Sequence, residues 1–204
     1  MDPVWLKKNG VIQDLFGSVF WPGAAGSILW SVGSIIHGVV EKPKETAYFT
    51  LGGALLLLLA LSVYSVIVWI QTRIRDFVLD ARFVVFETLH LILVALCAMS
   101  VATTLRAPLE DPGIVNPTSV FFMVYFGVNV TGHLLGAWEP PEKRSAKLTL
   151  AAANFLGIVL LVFLSWYGFP TVWATFFAYI VVILIWWIFA RGAKILDAVT
   201  AHYG

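Results

Sequence analysis

Charged residues are scarce in this chain: 12 % of its 204 amino acids are Asp, Glu, Lys or Arg. A soluble domain carries roughly a quarter, so a water-facing surface of ordinary polarity is excluded. The charges nearly cancel, 13 basic against 12 acidic for a net +1, and no field of one sign points to nucleic acid or an acidic ligand. Cysteine is limited to Cys97, inside an apolar run, which rules out an intrachain disulfide and leaves the redox compartment open. Catalytic signatures are missing too. No G-x-S-x-G, H-E-x-x-H, phosphate-binding glycine loop or C-x-x-C occurs, so nothing in the sequence argues for an enzyme. Asn9, Gln13 and Asp14 interrupt what would be the apolar core of a signal peptide behind Lys7 and Lys8, and a cleaved leader is not expected.

What is present is hydrocarbon. Sixty per cent of the residues are hydrophobic and mean hydropathy is +0.88, so the solvent of this chain is largely lipid. A helix needs about 20 apolar residues to cross about 30 Å of hydrocarbon. Six stretches approach that length: Trp21–Val40, Ala47–Ile70, Phe83–Leu105, Val120–Trp138, Leu148–Tyr167 and Thr171–Ala190. The first is diluted by Gly23, Gly26, Gly33 and its serines, which leaves a re-entrant element as the alternative. Charge placement favours a full crossing. Six spans put Lys7, Lys8, Arg73, Arg75, Arg82, Lys143, Arg144, Lys147, Arg191 and Lys194 on one side, and only Lys42, Lys44 and Arg106 on the other. By the positive-inside rule both termini are then cytoplasmic.

The pieces between spans are short. Ile12, Leu15, Phe16, Val19 and Phe20 recur at helical spacing, which predicts an in-plane amphipathic helix over residues 1–20. Gln71–Arg82 reads as a charged link, and Arg106–Pro117, with Pro108, Pro112 and Gly113, as an irregular loop. Pro140 and Pro141 break the chain, and Gly168-Phe169-Pro170 forces a tight hairpin. Residues 21–190 form the transmembrane domain, and residues 191–204 a cytoplasmic tail.

In lipid, helices associate through close packing and hydrogen bonds, so small residues mark contacts. Ser27, Ser31, Ser34 and Gly38 make one stripe, Gly132 and Gly136 a second, and Ala153 and Gly157 a third. Together they exceed what one bundle needs, and an oligomer or a place in a larger complex is expected. Most tryptophans lie near span ends, where indole faces headgroups. Trp30 alone is central, so only its surroundings could hold an aromatic-lined site.

One carboxylate falls clearly within a span. Glu87 lies about five residues into the third stretch, with His90 at i+3 and Cys97 at i+10 on the same helical face. On the fourth stretch Asn129 and His133 share a face with Tyr125, Gly132 and Gly136. Because consecutive helices are usually neighbours, Glu87, His90, Asn129 and His133 are expected to meet at similar depth. Three uses follow. The group serves packing alone, with Glu87 reaching headgroups or Arg82; it relays protons or coordinates a cation; or His90 and His133 ligate one b-type haem. Glu87-x-x-His90 also resembles half of a carboxylate di-metal motif, but no second copy exists.

Arg82-Phe83-Val84-Val85-Phe86-Glu87 and Phe126-Gly127-Val128-Asn129, the latter followed by Gly136 and Glu139, resemble the third and fourth helices of heliorhodopsins, relatives of microbial rhodopsins with a cytoplasmic N-terminus. The glutamate sits two positions later than in that family, Phe83 replaces a tryptophan, and the chain has six spans. The likeness implies interior positions for Glu87 and Asn129. It does not extend to retinal: all seven lysines lie outside the expected spans, so no Schiff base forms and no covalently bound retinal is expected; any other cofactor is unknown.

The sequence therefore predicts an all-α bundle of six transmembrane helices in a cytoplasmic-type (inner or plasma) membrane. Its leading function is a channel or transporter for protons or a small solute, lined by Glu87, His90, Asn129 and His133. A non-catalytic sensor or structural subunit, and a haem-carrying electron-transfer anchor, are the alternatives. Membrane lipid and further copies or subunits are the expected partners.

Overall fold

Asparagine and proline, more than hydropathy, decide where the helices start and stop. The computed structural model describes residues 16–41, 48–74, 81–104, 116–136 and 141–189, with no strand among them. A π-helical turn, Phe16–Phe20, runs directly into α1 (Trp21–Glu41). The others are α2 (Tyr48–Ile74), α3 (Ala81–Thr104), α4 (Pro117–Gly136), α5 (Pro141–Trp166) and α6 (Thr171–Phe189). All six are long and apolar enough to cross a membrane, the glycine-diluted first one included. The rest of the expected amphipathic helix (1–15), the tail (191–204) and the loop residues 105–115 lie outside the described residues.

Helix α4 begins at Pro117, three residues before the expected Val120, because Asn116 caps it. The Asn116 side-chain oxygen accepts the Thr118 backbone N–H at 2.9 Å and the Thr104 hydroxyl at 3.0 Å. Proline suits the first helical position, where its missing N–H is not needed. The Thr104 and Thr118 hydroxyls are 2.7 Å apart, so the cap also joins the end of α3 to the start of α4. Helix α5 likewise opens on a proline, Pro141, and takes in Lys143 and Lys147 before its apolar part. The expectation that no lysine belongs to a spanning helix is corrected to that extent: Lys147 stands at the margin of the apolar stretch.

The α5–α6 hairpin is a Schellman turn. Phe169 N–H reaches back to the Leu164 carbonyl and Gly168 N–H to Ser165, both at 3.1 Å. Gly168 takes φ of 75°, a left-handed conformation that a Cβ would strain. Pro170 then prevents the helix from continuing, and its carbonyl accepts the Ala174 N–H at 3.0 Å, starting α6.

Packing order differs from chain order. Helix α1 lies mainly on α3; α3 packs on α4, α4 on α5, α5 on α6, and α6 returns to α2, which closes the ring against α1. Trp173 of α6 fixes that last seam: its indole N–H donates to the Phe49 carbonyl at 3.0 Å and its ring stacks on Phe49 at 5.0 Å. Small residues serve these seams within the chain. A Cβ on Gly132 would stand 3.2 Å from Phe86 of α3, and one on Gly157 only 2.7 Å from Val182 of α6. Gly157→Ala is therefore expected to cost about 1–3 kcal/mol through overpacking, read as a lower melting temperature in detergent; an unchanged melt would mean that the α5–α6 seam yields freely.

The stripe on α1 is divided. Ser31 is buried, while Gly38 and the glycines at 23, 26 and 33 have nothing within 4 Å of an added Cβ. Trp30 is 51 % exposed and faces away from the bundle, so it lines no interior site among the described residues. The aromatic core lies elsewhere, at Phe122, Tyr125, Phe126 and Tyr179.

Candidate functional site

Helix α3 presents Glu87 and His90 one turn apart, and α4 presents Asn129 and His133 one turn apart. Side-by-side packing of the two helices brings the pairs together. His90 Nδ1 lies 3.3 Å from Asn129 Oδ1, and the Asn129 amide donates to the Tyr125 carbonyl at 3.0 Å. That second bond orients the amide, leaving its oxygen to accept. His90 Nδ1 must then carry the hydrogen, and Nε2 is left as a bare acceptor.

This acceptor is buried and has no partner. Glu87 Oε1 and the Tyr179 hydroxyl share that condition. Aromatic rings hold the group in place: His90 is 5.1 Å from Tyr125 and 6.1 Å from Tyr64, and Tyr179 is 6.1 Å from Tyr125 and 6.0 Å from Tyr64. Trp186 of α6 closes the cluster against Tyr64 at 5.6 Å. Glu87 acts electrostatically on Tyr64. His133, half-buried one turn beyond Asn129, lies within electrostatic reach of both His90 and Lys147.

Of the four residues singled out from sequence, His90 and Asn129 are in contact, while Glu87 and His133 are tied to this region only electrostatically, through Tyr64 and His90. Tyr64 and Tyr179 also belong to it, and sequence reasoning passed over them. Their signal was depth: tyrosine favours the two membrane margins, yet both stand well inside apolar helices. The Arg82 side chain lies outside the described residues, so the alternative pairing of Glu87 with it is not seen.

A metal site finds no support in the geometry. Among the described residues, no three His, Cys, Asp or Glu side chains stand close enough to hold an ion. Haem does not fit the site as packed. His90 Nε2 is buried and its ring is walled by Tyr64 at 6.1 Å and Tyr125 at 5.1 Å, which leaves no room for the face of a porphyrin beside it. What the arrangement offers is a chain of proton donors and acceptors, some of them unmet, in an otherwise apolar interior. Comparisons with protein-family models, with curated proteins and with solved structures find no match for this chain.

Proposed function

We propose that this protein is an integral membrane channel or transporter for protons or a small solute, with a path that passes Glu87, His90, Asn129 and His133. One observation carries the reading: Glu87 Oε1, His90 Nε2 and the Tyr179 hydroxyl are buried without partners in a single cluster. Each such atom costs on the order of several kcal/mol in a hydrocarbon setting. Three gathered together are best explained by a polar visitor, a proton carried on water or a solute, that meets them in passing. In this scheme Asn129 sets the His90 tautomer, His90 Nε2 accepts the proton, and Glu87 exchanges it with the end of the bundle where α3 begins. The bias of basic residues makes that end cytoplasmic. The likeness of α3 and α4 to heliorhodopsins agrees with interior roles for Glu87 and Asn129.

The test uses the purified chain in liposomes carrying an internal pH dye. A valinomycin-imposed potassium potential should drive proton entry faster than in protein-free vesicles. Equal rates would overturn the proton reading.

A second reading, a non-catalytic sensor or subunit of a larger membrane complex, rests on α1. Its outward glycines at 23, 26 and 33 leave open backbone surface, of the kind that lets another helix approach closely. Purification from native membrane that returns the chain alone would remove it.

A further inference from the structure

A groove of about 390 Å³ lies between α1 and α2, lined by none of the residues of the polar cluster. Trp21, Ile28 and Leu29 line it from α1, and Ser62, Ser65 and Val66 from α2. Leu29 and Val66 are largely exposed, so the groove opens on the outside of the bundle, where acyl chains run. Its walls are apolar except at two points. Trp21 and Ser65 are 5 % and 6 % exposed, yet neither the indole Nε1 nor the Ser65 hydroxyl has a hydrogen-bond partner. The other wall hydroxyl, on Ser62, is already bonded to the Leu58 carbonyl at 2.7 Å.

An indole N–H can only donate, and a hydroxyl lining the same groove can do the same. The pair therefore calls for an acceptor oxygen on an otherwise apolar molecule. Depth narrows the choice. The apolar stretch of α1 begins at about Trp21 and that of α2 runs on to Ile70, so both residues lie in the half of the bundle where α1 starts and α2 ends, Trp21 at its margin and Ser65 about 8 Å further in. In a bilayer Trp21 then stands at the boundary between hydrocarbon and headgroups, the level of glycerolipid ester carbonyls, with Ser65 below it on the hydrocarbon side. We infer that the groove seats one acyl chain of a membrane glycerolipid, whose ester carbonyl accepts hydrogen bonds from Trp21 Nε1 and Ser65 Oγ. This site stands apart from the transport reading and does not depend on it.

The decisive comparison is between two phosphatidylcholines of equal chain length, one with ester and one with ether linkages, since the ether lacks the carbonyl. The intact chain is incubated in detergent with an equal mixture, and retained lipid is read by native mass spectrometry. Diester should be retained about tenfold over diether, the scale of two ordinary hydrogen bonds. Trp21→Phe and Ser65→Ala should each reduce that preference to about threefold while leaving diether retention unchanged. Equal retention of the two lipids, or retention of neither, overturns the proposal. So does displacement of the diester by equimolar oleate, which would make a free fatty acid the occupant. A photo-crosslinker at position 65 that captures residues 1–15 instead of lipid overturns it as well.

Discussion

Glu87→Gln should slow proton flux through the reconstituted protein by roughly a hundredfold, the scale expected when an acid–base group is lost from a transfer path. Glutamine keeps the volume and shape of glutamate but neither binds nor releases a proton in the working range. The substitution should also leave the fold intact, because Glu87 Oε1 has no hydrogen bond to forfeit and replacing a carboxyl with an amide lowers the cost of burial. A melt close to the parent protein's, with flux lost, would separate mechanism from stability. Glu87→Asp retains the acid but shortens its reach by one methylene, and an intermediate rate is expected. Parent-like flux in the glutamine variant would remove Glu87 from the path.

Tyr125→Ala should be the most destabilising single change in the bundle. Tyr125 is 2 % exposed, and four rings surround its own: His90 at 5.1 Å, Phe126 at 5.8 Å, Tyr179 at 6.1 Å and Phe122 at 6.2 Å. Truncating a buried aromatic costs about 3–5 kcal/mol in water-soluble cores. Transfer from lipid contributes little here, so the loss is mainly dispersion and ring geometry, and the lower end of that range applies. For a chain of this size about 3 kcal/mol corresponds to a melting temperature lower by about 6–12 °C. Tyr125→Phe keeps the ring and should recover most of the drop. An alanine variant that melts with the parent would show that the centre is not a packed cluster.

The six long apolar helices were legible because a run of apolar residues long enough to span a membrane has few other uses. Their ends were not, since hydropathy says nothing of caps: Asn116 starts α4 and Pro141 starts α5 inside what read as connecting loops. The polar cluster was half legible. Glu87 with His90, and Asn129 with His133, follow from helical spacing on two consecutive helices. Tyr64 and Tyr179 come from α2 and α6, whose meeting is a long-range seam between residues as far apart as Phe49 and Trp173, a separation of 124 positions. Trp30 shows a second limit. When lipid outside is as apolar as protein inside, hydrophobicity does not mark which face of a helix turns inward, so a central tryptophan pointed outward without any sign in the sequence.

The ring order has a consequence for biogenesis. During synthesis α2 enters the membrane well ahead of α6, the helix it is shaped to meet. Until Trp173 arrives to dock on Phe49, Tyr64 has only His90 of α3 beside it, and the rest of that face of α2 has lipid, the translocation machinery or a chaperone for company. Completion of the bundle is thus a late event, and the interval before it is the stage of this protein's life most open to quality control.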